Sequence, residues 1–215
     1  MVRRCFIVLC ACIGSVALAR ASDLTVLVSE KASSLPVADA VIEVRGGADG
    51  LSPFTPVTRR IDQRGETFIP YVEIFRPGDR VEFHNGDDTR HHVYSFASTK
   101  SFEFVIAPGD SAPAITLDRP GEIDVGCNIH DHMIAHLLIT DAAHVARSGR
   151  GGQVVFTGLP DGRYSVQVWH PQLRPGKDLP EQTVLVDAGG ASLEFRLSLL
   201  PDPRAGAGDP ERNGY

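Results

Sequence analysis

Cysteine is scarce in this sequence. The chain has four cysteines in 215 residues, and three of them, Cys5, Cys10 and Cys12, lie in the apolar segment at its N-terminus. Beyond that segment only Cys127 remains, so internal disulfides cannot hold the rest of the chain together. A single cysteine is commonly a buried, inert thiol. It can also be a metal ligand, and composition alone does not choose between the two.

A long apolar run is also missing. Arg3 and Arg4 precede an apolar run from Cys5 to Ala19, and Ala19-Arg20-Ala21 follows. A charged start, a short apolar run and an A-x-A site are typical of a secretory signal peptide, and the run is short for a transmembrane helix. We therefore expect residues 1–21 to be a cleaved signal peptide and the mature protein to be periplasmic.

Basic residues are in the minority. The sequence has 21 Lys and Arg against 27 Asp and Glu, a net charge of −6. Cleavage after residue 21 would remove three arginines and no acid, which makes the net charge about −9. This balance argues against nucleic acid and against an anionic membrane surface as partners. It favours a basic protein partner, or charge that serves solubility alone.

Helical periodicity is absent after the N-terminal segment. Short β-branched, partly alternating segments recur instead, separated by turns such as Pro77-Gly78 and Asn85-Gly86. This pattern predicts an all-β fold of sandwich or barrel type. The predicted strands cover 24–29, 40–45, 67–75, 80–84, 91–96, 101–106, 114–117, 121–126, 135–140, 152–158, 163–170, 182–186 and 191–199.

Residues 126–133, "GCNIHDHM", concentrate metal-binding side chains. Cys127 ends a predicted strand in which it shares one face with Ile123 and Val125, so period two points the thiol toward the core. His130 and Met133 follow at the spacing C-x2-H-x2-M. A loop this tight between two strands can aim all three side chains at one point.

A further histidine comes from "DDTRHHVYSF", upstream of the cysteine. Alternation leaves open whether His91 or His92 faces the core, because Tyr94 and Phe96 share the face of His92. Two imidazoles, one thiolate and a weak axial methionine are the ligands of a blue-copper electron-transfer site. We interpret the Asp87-Asp88 pair as part of a turn. A catalytic role is not supported, because the sequence shows no nucleophile or acid that would complete a catalytic site.

These segments resemble the cupredoxins. "GDRVEFHNGDDTRHHV" is similar to the segment that carries their upstream histidine, and "PGEIDVGCNIHDHM" is similar to their C-terminal ligand loop, in the short form seen in amicyanin. The resemblance covers about residues 58–142. "RHHVYSF", "KSFEF", "GCNIHDHM" and "GLPDGRYSVQVWHP" together resemble exported proteins often labelled methylamine-utilization proteins.

The resemblance implies one type 1 copper ion held by His91, Cys127, His130 and Met133. Matching His91-His92-Val93 to the His-Asn-Val of cupredoxins favours His91 over His92. Cupredoxins usually have Asn where this chain has His92, which we interpret as a residue that orients a ligand loop.

A second resemblance concerns the chain ends. Residues 147–173 resemble the second half of carboxypeptidase-regulatory-like domains, which are small β-sandwiches, and residues 24–45 resemble the first half. We therefore expect a split domain, 22–56 with 146–200, into which a Greek-key cupredoxin domain, 57–145, is inserted. The alternative is two tandem domains. Residues 201–215 have almost nothing apolar to bury, and we expect a disordered tail.

The expected function is that of a periplasmic type 1 copper protein that carries single electrons to or from a redox protein and is not itself an enzyme. Two alternatives stay open. The same ligands could store or deliver copper without redox turnover. Alternatively, a zinc ion on Cys127 and the histidines could stabilise a structural or binding β-sandwich.

Overall fold

The computed structural model describes residues 21–47 and 54–204. Within this part of the chain it has sixteen β-strands and no helix, which confirms the all-β fold class, and no helix there could span a membrane. The strands are β1 (Ala21–Glu30), β2 (Val41–Gly46), β3 (Thr58–Gln63), β4 (Phe68–Ile69), β5 (Val72–Phe75), β6 (Arg80–Asn85), β7 (His91–Phe96), β8 (Ser101–Ile106), β9 (Ile115–Thr116), β10 (Gly121–Cys127), β11 (Ile134–Ile139), β12 (His144–Arg147), β13 (Gln153–Pro160), β14 (Gly162–Trp169), β15 (Glu181–Val186) and β16 (Ala191–Leu197).

Strands β3 to β11 form one β-sandwich. A five-stranded sheet has the order β5-β11-β10-β7-β8, and a four-stranded sheet has the order β4-β3-β6-β9. A single apolar core takes side chains from both sheets, among them Ile61 and Phe83 from one and Val93 and Ile123 from the other. Alternating side chains of each strand fill the space between the two sheets, as in other β-sandwiches.

The remaining strands form a second β-sandwich. Its sheets have the orders β13-β1-β16 and β12-β2-β14-β15. Strand β1 pairs antiparallel with β13 and parallel with β16, and β2 pairs with β12 and β14. Residues of β1 and β2 thus share a core with residues from the C-terminal third of the chain, including Leu24, Val44, Val166 and Phe195.

A small apolar cluster joins the two sandwiches. Trp169 and Val41 from the second sandwich pack against Tyr71, Val72 and Leu138 from the first, and all five are at most 6% exposed. Burial raises the pKa of Glu122 on β10, and the nearby Trp169 indole opposes part of that rise. The cluster covers part of the outer face of the five-stranded sheet, so that sheet is buried on both faces near β5 and β11.

The strand predictions are right for most of the chain and wrong in three places. The predicted strand 67–75 is divided into β4 and β5, with Pro70 between them. Proline lacks the N–H that a ladder requires, which explains the interruption. Strands β3 and β12 were not predicted. The sequence of β3, "TRRIDQ", is mostly polar, and β12 has no buried face, since each of its residues is only half-buried. Residues 1–20 of the predicted signal peptide and 205–215 of the predicted tail lie outside the described residues.

Candidate metal centre

Cys127 lies at the end of β10, inside the first sandwich. Burial alternates along the strand, so Ile123, Val125 and Cys127 all point into the core, as predicted, and Cys127 is 3% exposed. The loop that follows turns back on itself: Met133 N–H donates to the His130 carbonyl at 3.0 Å, and Cys127 N–H donates to the Met133 carbonyl at 3.2 Å. These two bonds close the ligand loop against the strand that carries the thiol.

His91, the first residue of β7, faces this thiol. Its side chain is fully buried, and its Nδ1 lies 3.7 Å from Cys127 Sγ. Strands β7 and β10 are paired neighbours, with Val93 opposite Cys127. This pairing brings together two residues that are far apart in the sequence, as required for a shared site.

His92 points the other way. Its side chain lies on the outer face of the sheet, where Nε2 is 2.6 Å from the Glu103 carboxylate. The expected contact of its side chain with a ligand loop is therefore not made. The backbone supplies it instead, because the His92 carbonyl accepts a hydrogen bond from Asn128 N–H at 3.0 Å. His91 is the histidine that the structure brings to the cysteine.

His130 completes a cluster of three donors. One nitrogen from each of His91 and His130 and the sulfur of Cys127 all lie within 4.8 Å of one another. The rings of His91 and His130 are 5.1 Å apart between centroids. Met133 is 1% exposed and belongs to the same apolar core as Cys127. Three of the four predicted ligands thus form one cluster, and the fourth, Met133, lies in the same apolar core as Cys127.

A metal ion fits this cluster chemically. The Nδ1 atom of His130 is buried and has no hydrogen-bond partner within the described residues. A buried imidazole nitrogen without a partner costs about 1–3 kcal/mol, and a metal ion would occupy that lone pair. Soft sulfur ligands beside two imidazoles suit copper better than magnesium or calcium, which prefer oxygen. The donor set therefore fits copper, and it also fits zinc if Met133 is disregarded.

Two carboxylates lie close to the Nε2 atoms of His91 and His130. His91 Nε2 is 2.8 Å from Asp87 Oδ2, and His130 Nε2 is 3.4 Å from Glu66 Oε1. Burial works to raise the pKa of Asp87, but hydrogen bonds from Glu66 N–H, His91 and Gly65 N–H outweigh it and lower that pKa. Asp87 is therefore held as a carboxylate beside His91.

Sequence reasoning missed both carboxylates. Asp87 does lie in a turn, and its N–H donates to the side-chain oxygen of Asn85 at 3.0 Å. Its position four residues before His91 was the available signal, since an acid that close to a ligand histidine often accepts the second ring N–H. No comparable signal marks Glu66, which is 25 residues before His91 and comes close only through the fold.

The other histidines near the centre have separate contacts. His132 Nε2 lies 3.8 Å from Glu66 Oε2, and its side chain is 35% exposed. His136, on β11, places Nδ1 at 2.7 Å from Asp124 on the outer face of the sheet. His84 Nδ1 is 3.2 Å from Ser111 Oγ. None of these three belongs to the three-donor cluster around Cys127.

Comparisons with solved structures return copper proteins. An amicyanin from Paracoccus versutus is 18% identical, and the match covers 41% of this chain and 85% of the amicyanin with a TM-score of 0.35. A purple cupredoxin from Nitrosopumilus maritimus is 16% identical over 38% of this chain and 98% of its own, with a TM-score of 0.34. A copper-containing nitrite reductase from Thermus scotoductus is 26% identical over 54% of this chain and 28% of its own, with a TM-score of 0.36.

No protein-family model matches the chain, and a search of curated proteins finds no match. What the chain binds is therefore inferred from the geometry of its own ligands.

Proposed function

We propose that this chain is a type 1 copper protein that accepts and donates single electrons, with His91, Cys127, His130 and Met133 as the copper ligands. The observation that carries the proposal is the convergence of two imidazole nitrogens and one buried thiol sulfur within 4.8 Å of one another. Copper bound by such ligands cycles between Cu(I) and Cu(II) and so passes one electron at a time.

The protein frame suits this role because it holds the ligands nearly fixed. Cys127 and His91 lie on paired strands, and the loop bearing His130 and Met133 is closed by backbone hydrogen bonds. Ligands that move little when the metal changes charge keep the reorganisation energy of electron transfer small. The surrounding apolar core excludes water from the thiol.

His130 is the ligand best placed to pass an electron to a partner. Its side chain is 18% exposed, whereas the other three ligands are at most 3% exposed. Encounters there would be small and transient. The acidic balance of the chain fits a redox partner with a basic surface.

Three further features belong to this proposal. We propose a periplasmic location, supported by the signal-peptide pattern of residues 1–21. We propose that the protein is not an enzyme, since a thiol this buried is a poor nucleophile. We also propose that the copper domain, expected at residues 57–145, is inserted within a carboxypeptidase-regulatory-like sandwich, expected at 22–56 and 146–200, which the pairing of β1 with β13 and β16 supports. The pairing of β12, which begins at His144, with β2 moves the second boundary to about residue 143.

The first test is spectroscopic. Mature protein with one equivalent of Cu(II) should show an intense visible absorption band and narrow copper hyperfine splitting in its EPR spectrum. Both should vanish in Cys127→Ser, because the thiolate produces them. They should also vanish or change greatly in His130→Ala but persist in His132→Ala, a matched control two residues away that lies outside the cluster. A colourless wild-type protein would remove the electron-carrier proposal.

A second measurement separates electron transfer from copper storage. An electron carrier should show a reversible midpoint potential and should exchange electrons rapidly with a small redox mediator. A storage or delivery protein should bind Cu(I) tightly and release it to a chelator or acceptor protein, with slow or irreversible electron exchange. Slow electron exchange in a blue protein would favour the storage alternative.

A further inference from the structure

Asp87 contacts two separate parts of the candidate metal centre. Its Oδ2 atom is 2.8 Å from His91 Nε2 and also accepts the N–H of Glu66 at 3.0 Å. Its Oδ1 atom accepts the N–H of Gly65. Its own N–H is fixed by the fully buried Asn85, as described above. Both carboxylate oxygens are therefore engaged, one with His91 and both with the turn between β3 and β4.

The contact with His91 determines which ring nitrogen can bind a metal. A carboxylate only accepts hydrogen bonds, so His91 Nε2 must carry the hydrogen. Nδ1 is then left with a free lone pair, and it is this atom that lies 3.7 Å from Cys127 Sγ. Because His91 is fully buried, no water can replace Asp87 as the acceptor for Nε2–H.

The contact with the turn places a second carboxylate. Glu66 has a φ of +57°, a left-handed conformation that is uncommon for a residue with a side chain. The two backbone N–H groups bound by Asp87 hold this turn, and the Glu66 side chain then reaches His130 Nε2 at 3.4 Å. His130 Nδ1, on the other side of the ring, is the buried nitrogen without a partner. The two histidines thus have the same arrangement: one ring nitrogen faces a carboxylate, and the other is left to face the cluster around Cys127.

We propose that Asp87 is the positioning residue for both histidines of the copper site: it orients His91 directly, and it orients His130 through the turn that carries Glu66. The inference rests on the proposed copper function. Two carboxylates behind the ligand rings make the imidazoles stronger donors and favour the more highly charged metal ion. They therefore stabilise Cu(II) relative to Cu(I).

The test compares Asp87→Asn with Asp88→Asn in the mature, copper-loaded protein. Each substitution removes one negative charge at neighbouring positions, but Asp88 is exposed and outside the hydrogen bonds described above. An amide at position 87 offers one acceptor oxygen instead of two, so it cannot accept from His91, Glu66 N–H and Gly65 N–H together, and its NH₂ group faces whichever donor loses its acceptor. At the wild-type midpoint potential, Asp87→Asn should raise the Cu(I)/Cu(II) ratio about tenfold, equivalent to about 59 mV. Asp88→Asn should leave the ratio within about twofold.

A second readout does not need copper. In the metal-free protein, the Nε2–H proton of His91 should give a slowly exchanging, low-field NMR resonance in the wild type and in Asp88→Asn. It should be lost or moved upfield in Asp87→Asn. Glu66→Gln, on an exposed side chain, should keep the His91 resonance and raise the Cu(I)/Cu(II) ratio by less than Asp87→Asn does, because only the His130 contact is changed.

The outcomes separate the two proposals. Equal ratios and unchanged resonances in the two Asp variants would overturn the role of Asp87, even if the wild type is blue. A colourless wild type would overturn the copper proposal, whereas the metal-free resonance would still decide whether Asp87 orients His91. If Asp87→Asn does not fold, Glu66→Gln decides, and an unchanged ratio in that variant would contradict the link to His130.

Discussion

At the scale of single residues, Met133 is the proposed ligand that would distinguish copper from zinc. It is 1% exposed and packs in the same core as Cys127. Met133→Leu nearly conserves volume, so the free energy of unfolding of the metal-free protein should change by less than about 1.5 kcal/mol. In the copper protein the midpoint potential should rise, because Cu(II) loses a fourth donor that Cu(I) needs less.

Cyclic voltammetry of Met133→Leu checks this prediction, and Leu137→Met is its control. Leu137 is a fully buried core residue on β11 that offers no ligand, so its potential should match the wild type. If Met133→Leu also matches the wild type at full copper occupancy, the sulfur is not a ligand. Unchanged zinc affinity together with weak copper binding would instead support the structural zinc alternative.

The residues of the candidate site differ in how far the sequence predicts them. Cys127, His130 and Met133 are close in sequence, so their spacing alone indicates a shared site. The choice between His91 and His92 could not be made from alternation, because both have apolar or aromatic residues on their own face. Glu66 reaches the site only because β3 and β4 belong to the sheet facing β7 and β10, and that long-range packing has no local signal.

At the scale of secondary-structure elements, strands could be predicted where one face of the strand is buried and the other is exposed. Strand β7 was predicted with its observed bounds, β10 differs from prediction by one residue at its C-terminal end, and β14 is displaced by one residue at each end. Their alternation is sharp because one face meets a core. Strand β3 has three exposed polar residues followed by two buried ones around Asp62. It forms through pairing with β6 rather than through its own composition.

His170, which directly follows β14, should make stability depend on pH. It is 4% exposed, its Nε2–H donates to the Ala38 carbonyl at 3.2 Å, and its Nδ1 accepts from Gln172 N–H at 3.1 Å. Burial lowers the pKa of His170 from 6.5 to about 4, although the bond to Ala38 partly opposes this. Protonating Nδ1 would also remove the acceptor for Gln172.

The sign of the pH effect follows from this lowered pKa. Below pH 6.5 the unfolded chain binds a proton at His170, whereas the folded chain does not bind it until the pH falls to about 4. The contribution of His170 is therefore complete above pH 6.5 and is lost as the pH falls toward 4, a change of about 3 kcal/mol in the free energy of unfolding. Urea unfolding at several pH values measures how the free energy of unfolding depends on pH. This dependence should be weaker in His170→Gln and unchanged in His84→Gln. Equal slopes in the two variants would contradict the assignment.

At the scale of the whole molecule, residues 21–47 and 54–204 form two sandwiches whose contact includes the sheet that carries Cys127 and His91. Strand β10 carries Cys127 at one end and Glu122, which lies near the Trp169 indole, close to the other. The His136 ring lies between those of Tyr71 and Trp169, at centroid distances of 5.0 and 6.3 Å. The second sandwich therefore packs directly on strands of the sheet that carries the candidate site, and its stability should be coupled to that of the first sandwich.

Replacing Trp169 tests this coupling. Trp169 is 5% exposed between the two sandwiches, and Trp169→Ala should cost about 3–5 kcal/mol because it leaves a cavity there. In the copper-loaded wild type, loss of the visible band and loss of the far-UV circular dichroism signal should coincide on heating. In Trp169→Ala the two transitions should separate, because the contact that links the sandwiches is removed.

Phe96→Ala is the control, since Phe96 is 76% exposed and its removal should change stability by about 0.5 kcal/mol or less. Transitions that still coincide at the wild-type temperature in Trp169→Ala would show that the cluster does not couple the two sandwiches.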